Sequence, residues 1–402
     1  MRERTQRRTA GTTARKPVVL VFVGTYLPGH KAGGIVRTVV NTVDHMCDQF
    51  EFRIVTRDRD LGDGQAYAGV PARTWQRVGN ALVYYLPPES CTTAVIRSAI
   101  AETQHDALYL NSFFDPLTVK ALWNIRIGAV TSPRVVIAPR GEFAWASLGQ
   151  KYPKKLAFLI AARAAGLCRG VTWHASSRFE ASDIRQVMRV DASAIHVAFD
   201  FARKESGRPA TGTPTLPVRD PDGRLRIVFL SRIAPEKNLD YALRVLGKVR
   251  SPVLFDIHGP AENEQYWREC QQLIAQLPAH IEVRYLGAVE AGQVMNVFGA
   301  YELFLFPSGG EAYGHVIAEA LMAGTPVLCS TETAWRDLEA GAMGWDFDLA
   351  RPEAFVEAID RFASLGYDAR VSRRAAVTAG VRTRLSDPAI AEANYRLFIP
   401  AR

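Results

Sequence analysis

Two glutamates frame a glycine-rich loop near residue 310, and their position suggests recognition of a ligand that carries hydroxyl groups. Glu311 lies in a loop that follows an apolar run predicted as a buried strand, and Glu319 lies on the second turn of the helix predicted after that loop. Loops of this kind, at the carboxyl edge of a parallel sheet, bind ligands in open α/β folds. A helix start offers unpaired N–H groups to a phosphate, and an ionised carboxylate accepts hydrogen bonds from hydroxyls. Phosphate and hydroxyl groups together describe a nucleotide sugar.

Two cations form a second candidate site. Arg232 and Lys237 follow an apolar run at 225–230 and precede a helical pattern, so we expect them beside a helix start. Positive charges there could neutralise a diphosphate and stabilise the charge that grows on it as a leaving group. The alternative is a solvated loop in which Glu236 and Lys237 form a surface pair.

The two blocks resemble the retaining group 1 glycosyltransferases of GT-B fold. Glu311 and Glu319 match that family's motif of two glutamates separated by seven residues, and 231–239 matches the block whose arginine and lysine grip the donor diphosphate. The resemblance implies three catalytic groups, with Arg232 and Lys237 on the diphosphate and Glu311 on the donor sugar. It also implies that Glu319 binds the ribose and that the anomeric configuration is retained.

The loops around these blocks supply further candidate substrate contacts. The amides of Gly314, His315 and Val316 are candidates for phosphate binding at the predicted helix start. The imidazole of His315 could touch the sugar or cap the helix, and both remain open. Gly33 and Gly34 follow the first predicted strand, where the family places a loop that faces the donor phosphates and the acceptor from the opposite domain. Any doubly wound domain favours glycine at that place, which is the alternative.

Four more charged or titratable residues are candidates near the cleft. Arg140 stands where many relatives carry a histidine that contacts the donor sugar, so a permanent cation is expected there. His174 is a second cleft candidate, although a lone histidine near a strand end is more often structural. Lys31 and Arg37 could anchor an anionic acceptor or be solvated charges.

The chain departs from the family near the predicted domain boundary. Members of the family carry a Pro-Asn-Gly-hydrophobic-Asp turn where this chain has Val197-Ala198-Phe199-Asp200, so a different interdomain hinge is expected.

Short apolar runs alternate with helical patterns twice along the chain, which predicts two doubly wound, Rossmann-like α/β domains facing each other across a cleft. A stretch rich in Pro, Gly, Thr and charge separates them. The predicted division is a disordered basic tail at 1–16, an acceptor-side domain at 17–202, a linker at 203–223, a nucleotide-sugar-binding domain at 224–385 and a C-terminal helix at 386–402 that packs back toward the first domain.

Individual residues predict where two helices begin or end, and composition predicts one long loop. Asn238 is predicted to cap a helix at 239–248. Gly324 is predicted to end the helix that starts near residue 315. The polar segment at 58–79 predicts a long loop or a small hairpin, and acceptor contacts are expected in such variable loops.

Charge and composition exclude several classes of protein. The net charge is +8, of which +5 lies in the first 16 residues, so the modest charge of the body disfavours a nucleic-acid binder. The tail has no apolar core and is not a secretory signal. No apolar run reaches the roughly 18 residues of a transmembrane helix. Five scattered cysteines fit reduced thiols in a cytoplasmic enzyme.

One segment could bring the enzyme to a membrane. The residues at 151–169 combine five cations with several apolar side chains, which fits a helix lying on an anionic lipid surface at the inner face of the membrane. The alternative is a core helix with solvated ends.

Taken together, these patterns predict a metal-independent glycosyltransferase without a cofactor. It would move a sugar from a nucleotide-diphosphate donor onto a saccharide or lipid-linked acceptor. The resemblance to the family implies a role in the assembly of surface polysaccharides or glycoconjugates. No metal is expected because the cations and the helix dipole would do its electrostatic work. A GT-B sugar-nucleotide epimerase and a non-catalytic partner subunit remain alternatives.

Overall fold

The computed structural model describes residues 15–149, 152–204, 223–290 and 292–399. In these residues the strands form two sheets, one of eight strands and one of six. The predicted tail up to residue 14 and most of the predicted linker lie outside the described residues.

The first sheet belongs to the N-terminal domain. Its strands are β1 (Val18–Phe22), β2 (Glu51–Arg57), β3 (Trp75–Val78), β4 (Ala81–Leu86), β5 (Ala107–Asn111), β6 (Val135–Ala138), β7 (Thr172–Ala175) and β8 (Ile195–Val197). They lie in the order β3-β4-β2-β1-β5-β6-β7-β8, and only the β3–β4 hairpin is antiparallel among the described pairs. The helices of this domain are α1 (Gly34–Met46), α2 (Thr93–Glu102), α3 (Pro116–Arg126), α4 (Trp145–Leu148), α5 (Tyr152–Ala164) and α6 (Arg178–Met188).

The second sheet belongs to the C-terminal domain and is parallel in every described pair. Its strands are β9 (Leu225–Leu230), β10 (Val253–His258), β11 (Ile281–Gly287), β12 (Leu303–Phe306), β13 (Val327–Ser330) and β14 (Gly344–Phe347), in the order β11-β10-β9-β12-β13-β14. The helices are α7 (Leu239–Leu246), α8 (Glu264–Ile274), α9 (Val294–Gly299), α10 (His315–Met322), α11 (Pro352–Ala363) and α12 (Tyr367–Leu385).

Continuous apolar strands explain the layered architecture. Every residue of β1 and of β12 is buried. Strands covered by helices on both faces have no solvent side, so their sequences are apolar throughout rather than alternating. The two doubly wound domains predicted from these runs are therefore confirmed.

The last helix returns to the first domain. Helix α13 (Pro388–Phe398) places Leu397 and Phe398 in the core beside β1 and β2. The ring of Phe398 lies 5.4 Å from Phe50 and 5.1 Å from Tyr109, centroid to centroid. The chain thus crosses between the domains a second time.

One predicted cap is wrong. Asn238 precedes α7, but its backbone is left-handed at φ 53° and its side chain does not cap the helix. Its Nδ2 donates instead to the carbonyl oxygen of Pro307, 3.0 Å away. The side chain therefore ties two loops of the C-terminal domain together.

Two other local predictions agree with the structure. The segment at 58–79 contains strand β3 of the β3–β4 hairpin. Helix α10 is followed by Gly324 at φ 78°, as expected of a helix stop.

Helix α5 covers most of the described part of the predicted membrane segment. Its buried residues are Leu159 and Ala162, whereas Tyr152 and Ile160 are exposed. Leu159 and Ala162 belong to the apolar core of the first domain, so one face of α5 packs on that core while the other is exposed. Contact of this helix with a membrane stays a prediction.

Candidate active site

The two C-terminal sequence blocks converge at one edge of the second sheet. Strands β9 and β12 are neighbours, so the loops at their carboxyl ends lie side by side. The amide of Gly309 donates to the carbonyl oxygen of Glu236 at 2.8 Å, and the Asn238 contact with Pro307 adds a second link. The fold brings together two segments that are about 70 residues apart in the sequence.

Lys237 and Glu311 form an ion pair at the centre of this edge. Lys237 Nζ donates to Glu311 Oε1 at 2.5 Å, and only 14% and 16% of the two side chains are exposed. The ammonium also lies 5.9 Å from the ring centroid of Phe306. A cation held in a partly dry site interacts more strongly with an anion than one in open water.

Arg232 stands at the rim of the same edge. Its guanidinium donates to Glu262 at 2.8 Å and to Glu236 at 3.3 Å, and its side chain is half exposed. Burial lowers the pKa of Arg232, but Glu262 and the other nearby carboxylates, including Glu311, outweigh burial and raise it. Arg232 is therefore a permanent cation near Lys237.

The start of helix α10 offers free backbone donors beside Lys237. Gly314 has φ 79°, and a Cβ there would lie 3.1 Å from Ile317 Cδ1, so the position requires glycine. The first bond of the helix runs from the Ile317 amide to the Gly314 carbonyl. Within the described residues, the amides of Gly314, His315 and Val316 donate to no acceptor. They form a potential anion cradle.

Glu319 lies one turn further along α10 and meets the first domain. Arg37 Nη1 donates to its two carboxylate oxygens at 2.9 and 2.7 Å. Burial raises the pKa of Glu319, and Arg37 only partly offsets this effect. Arg37 therefore faces the second motif glutamate across the cleft, whereas Lys31 pairs with Asp63 within the first domain.

The Gly33–Gly34 loop faces the same helix start from the opposite domain. A Cβ on Gly34 would lie 3.7 Å from His315 Cδ2. Gly33 has φ 62°, which favours glycine. The loop therefore places the start of α1 against the start of α10.

His315 is buried between the two domains. Its residue exposure is 8%, and its Nε2 lies 2.7 Å from Thr38 Oγ1 of α1. Burial lowers the pKa of His315 to about 3. The imidazole is therefore neutral at neutral pH.

The sequence prediction for Arg140 needs correction. Its side chain is 4% exposed and pairs with Asp200, with Nη1 donating to Oδ1 at 2.8 Å. Its Nε and Nη2 donate to Asn111 Oδ1, and Nη2 also donates to the hydroxyl of Tyr109. Because protein acceptors occupy all three nitrogens, Arg140 is a structural cation below the cleft and not a sugar contact.

His174 needs the same correction. It is buried in the same network, where Nδ1 lies 2.7 Å from the Tyr109 hydroxyl and Nε2 lies 2.9 Å from the Ala198 carbonyl oxygen. Burial lowers its pKa to about 4. With both ring nitrogens bonded to protein atoms, His174 does not reach the cleft.

A second contact across the cleft holds the loop that carries Glu311. Ser176 Oγ donates to the Ala312 carbonyl oxygen at 2.9 Å, and a Cβ on Gly141 would lie 3.2 Å from Ala312 Cβ. Glu180 accepts from the Gly141 amide at 2.7 Å. The first domain therefore fixes the backbone next to Glu311.

Two residues at this interface were not singled out from the sequence. Thr38 contacts His315, and Asp200 contacts both Thr38 and Arg140. Asp200 belongs to the 197–200 segment, which the sequence marked only as a departure from the relatives. Asp200 matches the aspartate that ends the family's turn, and this match was the one sign in the sequence that the residue matters.

Comparison with known proteins shows what the C-terminal part is similar to. Residues 217–377 match the family model described as "Glycosyl transferases group 1". A D-inositol 3-phosphate glycosyltransferase of Mycobacterium leprae is 28% identical over 210 residues, which is 49% of this chain and 47% of that enzyme. The matched region thus spans about half the length of this curated relative.

Solved structures resemble the whole chain more closely in fold than in sequence. The crystal structure of Anabaena HepE in complex with UDP and glucose has a TM-score of 0.64, with 17% identity, 95% of this chain and 98% of that chain covered. A sucrose-phosphate synthase from Thermosynechococcus elongatus has a TM-score of 0.67 and 14% identity, with 96% and 98% covered. The predicted GT-B fold, with two Rossmann-like domains and a cleft, is confirmed.

Metal sites and membrane-spanning helices are both absent from the described residues. No group of three or more His, Cys, Asp or Glu side chains is arranged to hold a metal ion there. No helix in the described part of the chain combines the length and the apolar character that crossing a bilayer requires.

Proposed function

We propose that this chain is a glycosyltransferase that moves a sugar from a nucleotide-diphosphate donor onto a saccharide or lipid-linked acceptor. The convergence of Lys237, Glu311 and the free amides of Gly314, His315 and Val316 at one sheet edge supports this proposal most strongly. Cations and amides suit a diphosphate, and carboxylates suit sugar hydroxyls. The match of residues 217–377 to the model of group 1 glycosyl transferases agrees with it.

The diphosphate is the leaving group in this proposal. Lys237, with Arg232 at the rim, neutralises the phosphate charge that increases as the bond from the anomeric carbon to the diphosphate oxygen breaks. The helix amides add oriented dipoles at the same place. A metal ion is not required for this task, because the protein supplies the positive charge.

The two motif glutamates bind the two sugars of the donor. When the donor binds, the Lys237 ammonium moves from Glu311 to the phosphate. The freed Glu311 carboxylate then accepts hydrogen bonds from the transferred sugar. Glu319 accepts hydrogen bonds from the ribose hydroxyls. An ionised carboxylate can accept several hydrogen bonds, so Glu319 also keeps its bond to Arg37.

We propose transfer with retention of configuration. The acceptor hydroxyl attacks the anomeric carbon from the face that the diphosphate leaves, and its proton passes to the departing phosphate oxygen. This route needs no carboxylate nucleophile. In this route Glu311 only binds the transferred sugar and forms no covalent bond with it.

Two similar proteins support different parts of this proposal, one the donor and the other the pathway. The Anabaena neighbour of the same fold was crystallised with UDP and glucose. An O-antigen chain mannosyltransferase B of Escherichia coli is 26% identical over 113 residues. The latter supports a role in surface polysaccharide assembly.

Equilibrium titration with UDP, GDP, ADP, UDP-glucose, GDP-mannose and ADP-glucose tests the proposal. We expect the wild-type chain to bind one nucleotide series, and Glu319→Ala to weaken that binding about 10- to 100-fold, because charged hydrogen bonds are each worth about 1.5–3 kcal/mol. Glu357→Ala, at an exposed position on α11, is the matched control and should bind as the wild type does. Folded wild-type protein that binds none of the six ligands would refute the donor assignment.

We further propose that the first domain rests on an anionic membrane surface. Trp145 is 75% exposed, its ring lies 5.9 Å from the exposed Tyr152, and Ile160 and Lys154 are exposed nearby in sequence on α5. Aromatic and apolar groups beside cations suit the interface of anionic lipids. A lipid-linked acceptor would then be within reach.

Co-sedimentation with vesicles tests this surface. We expect binding to vesicles of phosphatidylglycerol and phosphatidylcholine, with the bound fraction reduced several-fold by Trp145→Ser. Tyr367→Ser, which alters an exposed aromatic ring of the second domain, is the control. Equal binding of all three proteins, or equal binding to pure phosphatidylcholine, would contradict the assignment.

A further inference from the structure

A chain of hydrogen bonds runs from the first domain to the start of α10. Thr38 Oγ1 lies 3.3 Å from Asp200 Oδ2 and 2.7 Å from His315 Nε2. All three residues are buried. Thr38 and Asp200 belong to the first domain and His315 to the second, so the chain exists only where the two domains meet.

The protons in this chain can be placed from the charges around it. Arg140 Nη1 donates to both oxygens of Asp200, at 2.8 and 3.1 Å, so Asp200 is an ionised carboxylate that only accepts hydrogen bonds. The single hydroxyl hydrogen of Thr38 is then donated to Asp200. Thr38 Oγ1 is left as an acceptor, and the hydrogen between it and His315 must come from Nε2.

A neutral imidazole carries one proton, so a proton on Nε2 leaves Nδ1 with a free lone pair. Within the described residues, the hydrogen bond of the His315 ring is the one at Nε2, and Nδ1 has no partner. His315 lies between the two motif glutamates and directly follows Gly314 at the proposed anion cradle. Its side chain therefore adds an acceptor to a loop whose backbone supplies donors.

We infer that Thr38 and Asp200 fix His315 in the tautomer that accepts at Nδ1, and that His315 thereby binds a hydroxyl of the transferred sugar rather than a phosphate. A phosphate oxygen accepts hydrogen bonds and finds no donor at Nδ1, whereas a sugar hydroxyl donates to it. This assignment rests on the proposed function. Of the two roles that the sequence left open for the His315 imidazole, sugar contact and helix cap, it selects sugar contact, and no side chain caps α10. Thr38 and Asp200 are positioning residues.

The groups behind Asp200 stabilise this arrangement. Arg140 keeps Asp200 ionised, and Asn111 and Tyr109 hold the guanidinium in place. His174 Nε2 lies 4.0 Å from Asp200 Oδ1. Arg140 and His174 thus lie next to Asp200 and do not contact the substrate themselves.

Nitrogen NMR of histidine-labelled protein tests the tautomer directly. His315→Asn identifies the resonances of His315. We expect the wild-type spectrum to show a proton on Nε2 and an unprotonated Nδ1, and we expect Thr38→Val to give a mixture of the two tautomers. A wild-type proton on Nδ1 would overturn the inference.

Ligand binding tests the assignment to the sugar. We expect Thr38→Val to weaken binding of the matching nucleotide sugar (UDP-glucose, GDP-mannose or ADP-glucose) about tenfold, and to change binding of the corresponding nucleoside diphosphate less than about twofold. Thr38→Ser should restore binding because it restores the hydroxyl. Thr42→Val is the matched control, since Thr42 is buried one turn further along α1 and its hydroxyl donates to the Thr38 carbonyl oxygen.

The outcomes separate this inference from the proposed function. Equal weakening of the nucleotide sugar and the nucleoside diphosphate by Thr38→Val would place His315 on the phosphate and overturn the inference. Unchanged binding of the nucleotide sugar would overturn it too, while the donor site itself stands. Absence of any nucleotide binding by the wild type would instead refute the proposed function, and with it the substrate assigned to His315.

Discussion

Lys237→Ala is expected to lower the turnover of sugar transfer about 10²- to 10³-fold, the loss typical of removing one group that stabilises developing negative charge. The reason is the position of Lys237, whose ammonium is held by Glu311 next to the free amides of α10. Without it, the departing diphosphate keeps only the rim cation Arg232 and the helix dipole. We expect the fold to remain intact, because the side chain ends at the cleft and Glu311 keeps its contact with Ser308 Oγ.

Steady-state kinetics with the nucleotide sugar that the wild type binds measure this effect. Lys248→Ala is the matched control, because Lys248 is exposed on the same domain. Its turnover should equal that of the wild type. Wild-type turnover in folded Lys237→Ala would remove Lys237 from the catalytic groups.

Arg140→Met is expected to destabilise the protein by about 3–5 kcal/mol, the cost of leaving one charge of a buried ion pair without its partner. Asp200 is 2% exposed and would remain in the interior without the guanidinium. Burial raises the pKa of Asp200, but Arg140 outweighs it and holds this pKa below its usual range. A carboxyl with a lowered folded-state pKa stabilises the fold above its unfolded pKa and loses this contribution as the pH falls.

Denaturant unfolding of the wild type and the variant measures this cost. The difference should be largest near neutral pH and shrink below about pH 4, the ordinary pKa of an aspartate. Arg244→Met breaks the exposed pair with Asp240 and should cost no more than about 1 kcal/mol. If the two variants lose equal stability at pH 7, the Arg140–Asp200 pair is not the buried charge pair described above.

The fold and the donor-side loops could be predicted because their signals are local. Strands β1 and β12 are apolar throughout, and the glycines that follow each strand lie within a few residues of it. The sequence also predicted that Glu311 and Lys237 serve one site. Their ion pair follows from the adjacency of β9 and β12, which a parallel sheet with crossover helices makes natural.

The roles of Arg140 and His174 could not be predicted because they depend on distant partners. Asp200 lies 60 positions after Arg140, and no pattern within one sequence shows that the two side chains meet. Thr38 and His315 are separated by 277 positions and by the domain boundary. The prediction that Asn238 caps α7 failed for another reason. Asparagine also favours the left-handed backbone conformation, which Asn238 adopts here.

A crystal structure with the nucleoside diphosphate that binds best tests the central claim most directly. The claim is that the loop at 308–316 and the block at 231–238 form one diphosphate site. We expect phosphate oxygens within hydrogen-bonding distance of Lys237 Nζ and of the Gly314, His315 and Val316 amides, with the ribose on Glu319. A diphosphate bound elsewhere, with Lys237 still paired with Glu311, would contradict it.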